Sequence, residues 1–244
     1  MAEAARPKRV LVVGLGGLGC PVDSVLSRVR GVELWLCDDD LVELTNLHRQ
    51  TLYRDADVGH DKLEAAQAAL VAAGAAPEQI RLVRSRLLPE NARELVRQVD
   101  LVIEGSDNFA TKFLAADAAK LEARPIVHGA AVRLVGTAWA VAASGAPCYR
   151  CLFEDVPPGA QQGCAEAGVL GPVVGFCGAL MADLALRVLS GDATAFGSLY
   201  TFDARRDRLR QVPVAPRAAC SLCGTTPGIT EISEARYTTP SCAA

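Results

Sequence analysis

Two groups of residues in this chain have the types and spacing to do chemistry. The first is Gly14-Leu15-Gly16-Gly17-Leu18-Gly19, with Asp38 lying 19 residues past Gly19. Glycines let the backbone approach a phosphate, and a helix that begins there offers free N–H groups and a positive dipole end. A carboxylate closing the next strand can accept hydrogen bonds from ribose hydroxyls. The second group is two Cys-x-x-Cys pairs, Cys148 with Cys151 and Cys220 with Cys223. Four thiolates in two short pairs suit a closed tetrahedral zinc site, structural because no position stays open for water. A single pair could serve redox exchange, but two pairs in a reducing compartment favour zinc.

The stretch after Asp38, DDDLVELTNLHRQTLY, holds more than a dinucleotide site needs. Asn46 and Arg49, joined by Lys62, suit a triphosphate better than a neutralised pyrophosphate bridge. Asp107, in Gly105-Ser106-Asp107-Asn108, follows another predicted strand and can supply an oxygen ligand to magnesium. Each of these residues alone is more simply a solvated surface charge. Their convergence on the carboxyl edge of one sheet argues for a shared site. Among the other cysteines, Cys20, Cys37 and Cys177 lie in apolar segments and read as buried small hydrophobes. Cys164 lies in the polar stretch PPGAQQGCAEAG, where it is either an accessible nucleophilic thiol or an incidental surface cysteine, and Cys242 reads as incidental.

The elements that must position these residues follow from apolar periodicity. Strands are expected at Val10–Val13, Glu33–Cys37, Ile80–Arg84, Asp100–Glu104 and Pro125–Val127. Helices are expected from Pro21 to about Arg30, at Asp61–Ala73, at Glu90–Val99 and at Asn108–Leu121. The alternation predicts a doubly wound, Rossmann-like α/β fold with a mostly parallel sheet. From about residue 130 the pattern changes to antiparallel strands at Val132–Val141 and Ser198–Val214, the latter a hairpin turning near Arg205-Arg206, with a long helix at Pro172–Leu189 between them. Residues 1–224 are read as one domain, its antiparallel and zinc-bearing part about 130–224, and 225–244 as a loosely held tail. With 244 residues, half of them hydrophobic, and a net charge of -3, the chain has no basic field for nucleic acid. The apolar run Gly168–Ala182 is too short to span a bilayer. No apolar stretch before Val10 resembles a secretory signal, so a cytoplasmic location is expected.

Taken together, GLGGLGCP, DDDLVELTNLHRQTLY, VGHDK, GSDN, PCYRC, CAEAGVLGPVVG and CSLCG resemble the ThiF/MoeB/HesA family, relatives of ubiquitin-activating enzymes. The resemblance runs from about residue 8 to 224 and implies an adenylyltransferase using ATP and Mg²⁺. Such an enzyme activates the C-terminal glycine carboxylate of a ubiquitin-like sulfur-carrier protein ending in Gly-Gly and releases pyrophosphate, ahead of thiocarboxylate formation. By motif, the loop of Gly14, Gly16 and Gly17 approaches the nucleotide, and Asp38 binds ribose with Asp40 beside it. Thr45, Asn46, Arg49 and Lys62 lie at the phosphates, with Arg49 stabilising transition-state charge. Asp107 holds magnesium with Asn108 alongside. Cys148, Cys151, Cys220 and Cys223 match the zinc ligands. Cys164 matches a loop cysteine that in some members bonds covalently to the carrier.

The family usually carries an N-terminal helical segment whose arginine reaches the partner subunit's ATP, whereas nine residues precede the first expected apolar strand here. A homodimer is still expected, with that contact in question. No rhodanese-like portion follows, so sulfur delivery is expected to need a separate donor protein. Three rival readings remain: activation of a peptide or small-molecule carboxylate, a non-catalytic binding partner, and, less well supported, a nicotinamide-dependent dehydrogenase.

Overall fold

The computed structural model describes residues 6–156 and 168–237. Its strands are β1 (Lys8–Val13), β2 (Val32–Asp38), β3 (Ile80–Arg84), β4 (Leu101–Glu104), β5 (Ile126–Val132), β6 (Val135–Val141), β7 (Ser198–Asp203) and β8 (Arg208–Pro213). They form one sheet in the order β3-β2-β1-β4-β5-β6-β7-β8. The pairings from β3 across to β5 are parallel, and those from β5 to β8 antiparallel. The α-helices among the described residues are α1 (Gly19–Leu26), α2 (Lys62–Ala72), α3 (Ala92–Arg97), α4 (Phe109–Leu121), α5 (Tyr149–Phe153) and α6 (Gly171–Leu189).

Successive strand residues point to opposite faces, so the sheet carries two cores. Val10 and Val12 of β1 join Leu26, Leu63 and Met181 from α1, α2 and α6 on one face. Leu11 and Val13 join Val96, Phe113 and Tyr149 from α3, α4 and α5 on the other. Helix α6 is long and apolar enough to cross a membrane by length and composition. It packs instead on β5 and β6, with Val173, Cys177, Met181 and Ala185 buried. That packing is close because β5 and β6 place glycines under the helix. A Cβ on Gly129 would strike the Met181 sulfur, and one on Gly136 the Cys177 sulfur.

The chain leaves β1 for β2 and β3 on one side, then crosses to β4 on the other. The loops after β1 and β4 therefore diverge and open a crevice at the carboxyl ends of the strands. Gly14 stands at that point with φ +87°, and a Cβ there would lie 3.2 Å from the backbone of Ser106. Only glycine meets both demands without strain.

Four details differ from the sequence expectation. Helix α1 stops at Leu26 instead of about Arg30, because the chain turns into β2 through Gly31 at φ +77°. Strand β5 continues to Val132, since its small residues pair with β6 along their whole length. The short α5 over the first cysteine pair carries too little periodic sequence to be anticipated. Residues 225–237 are held, not loose: Ile229 is buried against the cysteines, and Tyr237 is buried with its hydroxyl donating to Asp117 at 2.8 Å.

Candidate active site

The crevice at the switch point has a volume of about 850 Å³. Every described residue that the sequence pointed to for nucleotide lines it: Gly14, Gly16, Gly17, Asp38, Asp40, Thr45, Asn46, Arg49, Lys62, Asp107 and Asn108. Cys164 lies outside the described residues.

Asp38 closes β2 and is nearly buried. One oxygen accepts the Leu15 N–H at 2.7 Å and the other the Asp40 N–H at 2.9 Å. A carboxylate offers about four lone-pair directions, so it retains capacity for ribose hydroxyls. Lys62, at the start of α2, is buried with its ammonium 2.9 Å from Asp40 and 3.9 Å from Asp38. Arg86, just past β3, bonds Asp39 at 2.6 Å and Asp40 at 3.0 Å. Partial burial pushes the Asp40 carboxyl up, but Lys62 and Arg86 hold it below the usual carboxylate range.

Arg49 is oriented locally. Its guanidinium donates to the Asn46 side-chain oxygen at 2.6 Å, and the Asn46 amide donates to Glu43 at 3.1 Å. Thr45 also donates to Glu43, at 3.3 Å. Gly17 lies under this segment, where a Cβ would sit 2.5 Å from Val174 and 3.1 Å from the Arg49 carbonyl. Its glycine is thus required by the close approach of α6 and the Arg49 segment. Asp107 is exposed at the crevice, and its carboxylate makes no hydrogen bond or ion pair among the described residues. Asn108 caps α4 by accepting the Thr111 N–H at 2.9 Å.

The floor beneath Ser106 and Asp107 is charged. Glu104 of β4 is fully buried and bonds the Ser106 N–H at 2.8 Å and the Lys112 ammonium at 2.8 Å. Lys112 also donates to the Gly129 carbonyl at 2.5 Å. Burial alone would push Glu104 up, yet Lys112 and His128 hold it below the usual range. Burial drives His128 down from its ordinary value, with Glu104, 3.5 Å from Nδ1, opposing that shift.

The four sulfurs of Cys148, Cys151, Cys220 and Cys223 lie within 4.8 Å of one another. The separations Cys148–Cys220 and Cys151–Cys223 are 3.4 Å, and Cys148–Cys151 is 3.9 Å. A tetrahedral four-thiolate zinc site, with Zn–S of about 2.3 Å, requires sulfurs about 3.8 Å apart. A disulfide would require about 2.05 Å. Burial and neighbouring sulfurs push Cys223 up to about 11. Burial acts the same way on Cys220, but backbone N–H groups of Cys223 and Leu222 bring it to about 7. Thiolates this close repel one another, and a cation between them offsets that repulsion, so the set fits a metal ion. Arg150, between the first two cysteines, is buried and bonds Asp117 of α4 at 2.9 Å through both Nε and Nη2. The Tyr237 hydroxyl reaches the same carboxylate.

Sequence reasoning missed Glu43, Gln50, Arg86, Lys112, Glu234 and Tyr237, all of which line the crevice. Arg86 follows a parallel strand at its carboxyl end, the rule that located Asp38 and Asp107. Glu234 and Tyr237 lie far along the chain and belong to no motif.

The sheet topology, with its glycine loop and strand-end acid at the switch point, defines a doubly wound α/β protein of the Rossmann-like class. The ThiF family matches residues 2–223, and the chain belongs to that family. It is 39% identical over 232 residues to the SAMP-activating enzyme E1 of Haloferax volcanii, covering 94% of this chain and 84% of that protein. It is 40% identical over 232 residues to the sulfur carrier protein adenylyltransferase of Thermus thermophilus, covering 92% and 85%. Adenylyltransferase and sulfurtransferase MOCS3 of Sus scrofa is 39% identical over 228 residues; 92% of this chain is covered, but only about half, 50%, of that longer protein. Among solved structures, E. coli MccB with ATP superposes with a TM-score of 0.73 at 19% identity, over 89% of this chain and 66% of that one. At that identity the likeness shows the fold.

The floor makes one stability prediction. Glu104, held below its unfolded value, contributes stability that is present at neutral pH and lost as pH falls through the lowered value. Lys112→Met removes the cation that chiefly compensates the buried carboxylate and should cost about 3 kcal/mol at pH 7. The deficit should narrow between pH 7 and pH 5, because loss of Lys112 raises the buried Glu104 carboxyl and favours its protonation. Urea unfolding at both pH values checks this, and a deficit that stays constant counts against the assigned role.

Proposed function

We propose that the chain is an ATP-dependent adenylyltransferase acting on the C-terminal glycine carboxylate of a ubiquitin-like sulfur-carrier protein. The observation that carries this reading is the convergence on one crevice of Asp38, the Asn46–Arg49 pair, Lys62 and Asp107, in a chain about 40% identical to a sulfur carrier protein adenylyltransferase along most of both lengths.

The chemistry suits the residues. A carboxylate oxygen of the carrier attacks the α-phosphorus of ATP, the bond to the bridging oxygen breaks, and pyrophosphate leaves with that electron pair. The attacking group is already ionised at neutral pH, so no general base is needed. What the protein must supply is alignment of two anions and relief of their repulsion. Arg49, fixed by Asn46, supplies charge at the phosphates, and Lys62 joins the phosphate end to the ribose acid Asp38. The free carboxylate of Asp107 would hold Mg²⁺, which neutralises phosphate charge when bound. The backbone of the Gly14–Gly17 loop, with Thr45 and Asn108 at the rim, completes the nucleotide contacts.

Cys148, Cys151, Cys220 and Cys223 would hold Zn²⁺ in a structural role. Cys164 remains the candidate for covalent engagement of the carrier, with a separate protein as sulfur donor. A homodimer in the cytoplasm, with no nucleic-acid or membrane partner, completes the reading.

ATP–pyrophosphate exchange tests it. Exchange should appear with a Gly-Gly-ended carrier, and Arg49→Ala or Asp107→Ala should lower it by at least about a hundredfold. No exchange with any carrier of this kind would refute the assignment, and exchange driven by a free peptide alone would transfer it to that substrate class. For the metal, elemental analysis should give one zinc per chain. Cys220→Ser should lose the ion and raise amide exchange across 217–237 by roughly tenfold or more. Full protection without bound metal would contradict the zinc role.

A further inference from the structure

The segment after the second cysteine pair turns back toward the crevice. The Gly228 and Ile229 N–H groups both donate to the Ser221 carbonyl at 2.9 Å, and Ile229 is buried among the cysteines. Ile232 then packs on the second core. A 3₁₀ turn, Glu234–Arg236, follows, closed by the Arg236 guanidinium donating to the Glu231 carbonyl at 3.0 Å. Tyr237 ends the described chain, buried, with its hydroxyl on Asp117. The segment is pinned at both ends, and Glu234 and Tyr237 between them line the crevice.

Their position assigns their partner. Asp38 marks the ribose, and the glycine loop with Arg49 marks the phosphates on the α1 and α6 side. The remaining space lies toward β3 and α4, walled by Leu87, Leu88 and Pro89 after β3 and by Ala110 and Leu114 on α4. An apolar slot beyond the ribose suits a flat heterocycle. Tyr237 has its hydroxyl committed to Asp117, so what it offers the slot is ring surface. Glu234 is exposed at the rim, and its carboxylate has no partner among the described residues.

We infer that the strap Ile229–Tyr237 is the outer wall of the purine subsite, with Tyr237 as the ring against the base and Glu234 as acceptor for its 6-amino group. This rests on the nucleotide reading of the crevice and adds to it a determinant of base choice. An ionised carboxylate accepts from the 6-amino group of adenine and opposes the 6-oxo acceptor of guanine. A site built to hydrogen-bond one group discriminates against an analogue that lacks it.

Calorimetric binding to the full chain tests this, with ATP, GTP, purine riboside triphosphate (ATP without its amino group) and inorganic tripolyphosphate, each with magnesium. The wild type should bind ATP at least about tenfold more tightly than GTP or the deaminated analogue. Glu234→Ala should weaken ATP roughly tenfold while leaving the deaminated analogue and tripolyphosphate within about twofold, because the deleted partners are the same interaction. Tyr237→Ala should weaken every nucleotide and spare tripolyphosphate. Equal weakening of ATP and the deaminated analogue by Glu234→Ala, or no change with either variant, overturns the inference while leaving ATP binding intact. A wild type that binds none of the nucleotides overturns the nucleotide reading itself, and this inference with it.

Discussion

The carboxylate of Asp38 is the point on which the site depends. It is held by the Leu15 and Asp40 N–H groups and faced by the buried ammonium of Lys62. These contacts join three otherwise separate pieces of chain: the loop after β1, the end of β2 and the start of α2. Their registration is what brings the glycine loop close to the acid. A buried lysine would be costly alone, and Asp40 with Asp38 offsets that cost. On the proposed reading, this polar cluster is also the one that sets the position of a bound ribose. Gly14 acts as its steric counterpart, allowing the β1 loop to lie against Ser106 and bring Asp107 to the same crevice.

A second constraint lies about the cysteines. Arg150 stands between Cys148 and Cys151, yet its guanidinium is spent on Asp117 of α4. The same carboxylate receives Tyr237, and Arg217 ties the second cysteine pair back through the Arg150 carbonyl at 2.7 Å. Thus the cysteine corner, helix α4 with its Asn108 cap and the strap over the crevice share one buried network. A partly satisfied network of this kind is costly, so its members hold or loosen together. On the proposed reading, a metal far from the phosphates acts on nucleotide binding only by keeping this wall in place.

Much of this was legible in the sequence because the decisive signals are local. Strand–glycine loop–helix, an acid at a strand end, and paired cysteines each depend on short spacing. Doubly wound topology then follows from alternation, and the carboxyl-edge rule gathers Asp38, Asn46, Arg49, Lys62 and Asp107. What the sequence did not disclose depends on distant contact. Lys112 looks like any helix lysine until Glu104 and Gly129 are seen beneath it. The full length of β5 follows from pairing with β6 and from glycines that admit α6, not from strand-forming residues. Tyr237 sits in a stretch that reads as polar tail, and it is held by burial in the second core and by a hydrogen bond to a residue 120 positions away.

The central claim is that this crevice directs a carboxylate onto the α-phosphorus of ATP. The most direct measurement follows oxygen. A carrier bearing ¹⁸O in its C-terminal carboxylate is incubated with the chain, ATP and magnesium, and the acyl product is released with a nucleophile. The account predicts one ¹⁸O in AMP and none in pyrophosphate. Label in orthophosphate, or AMP formed without label, would contradict it.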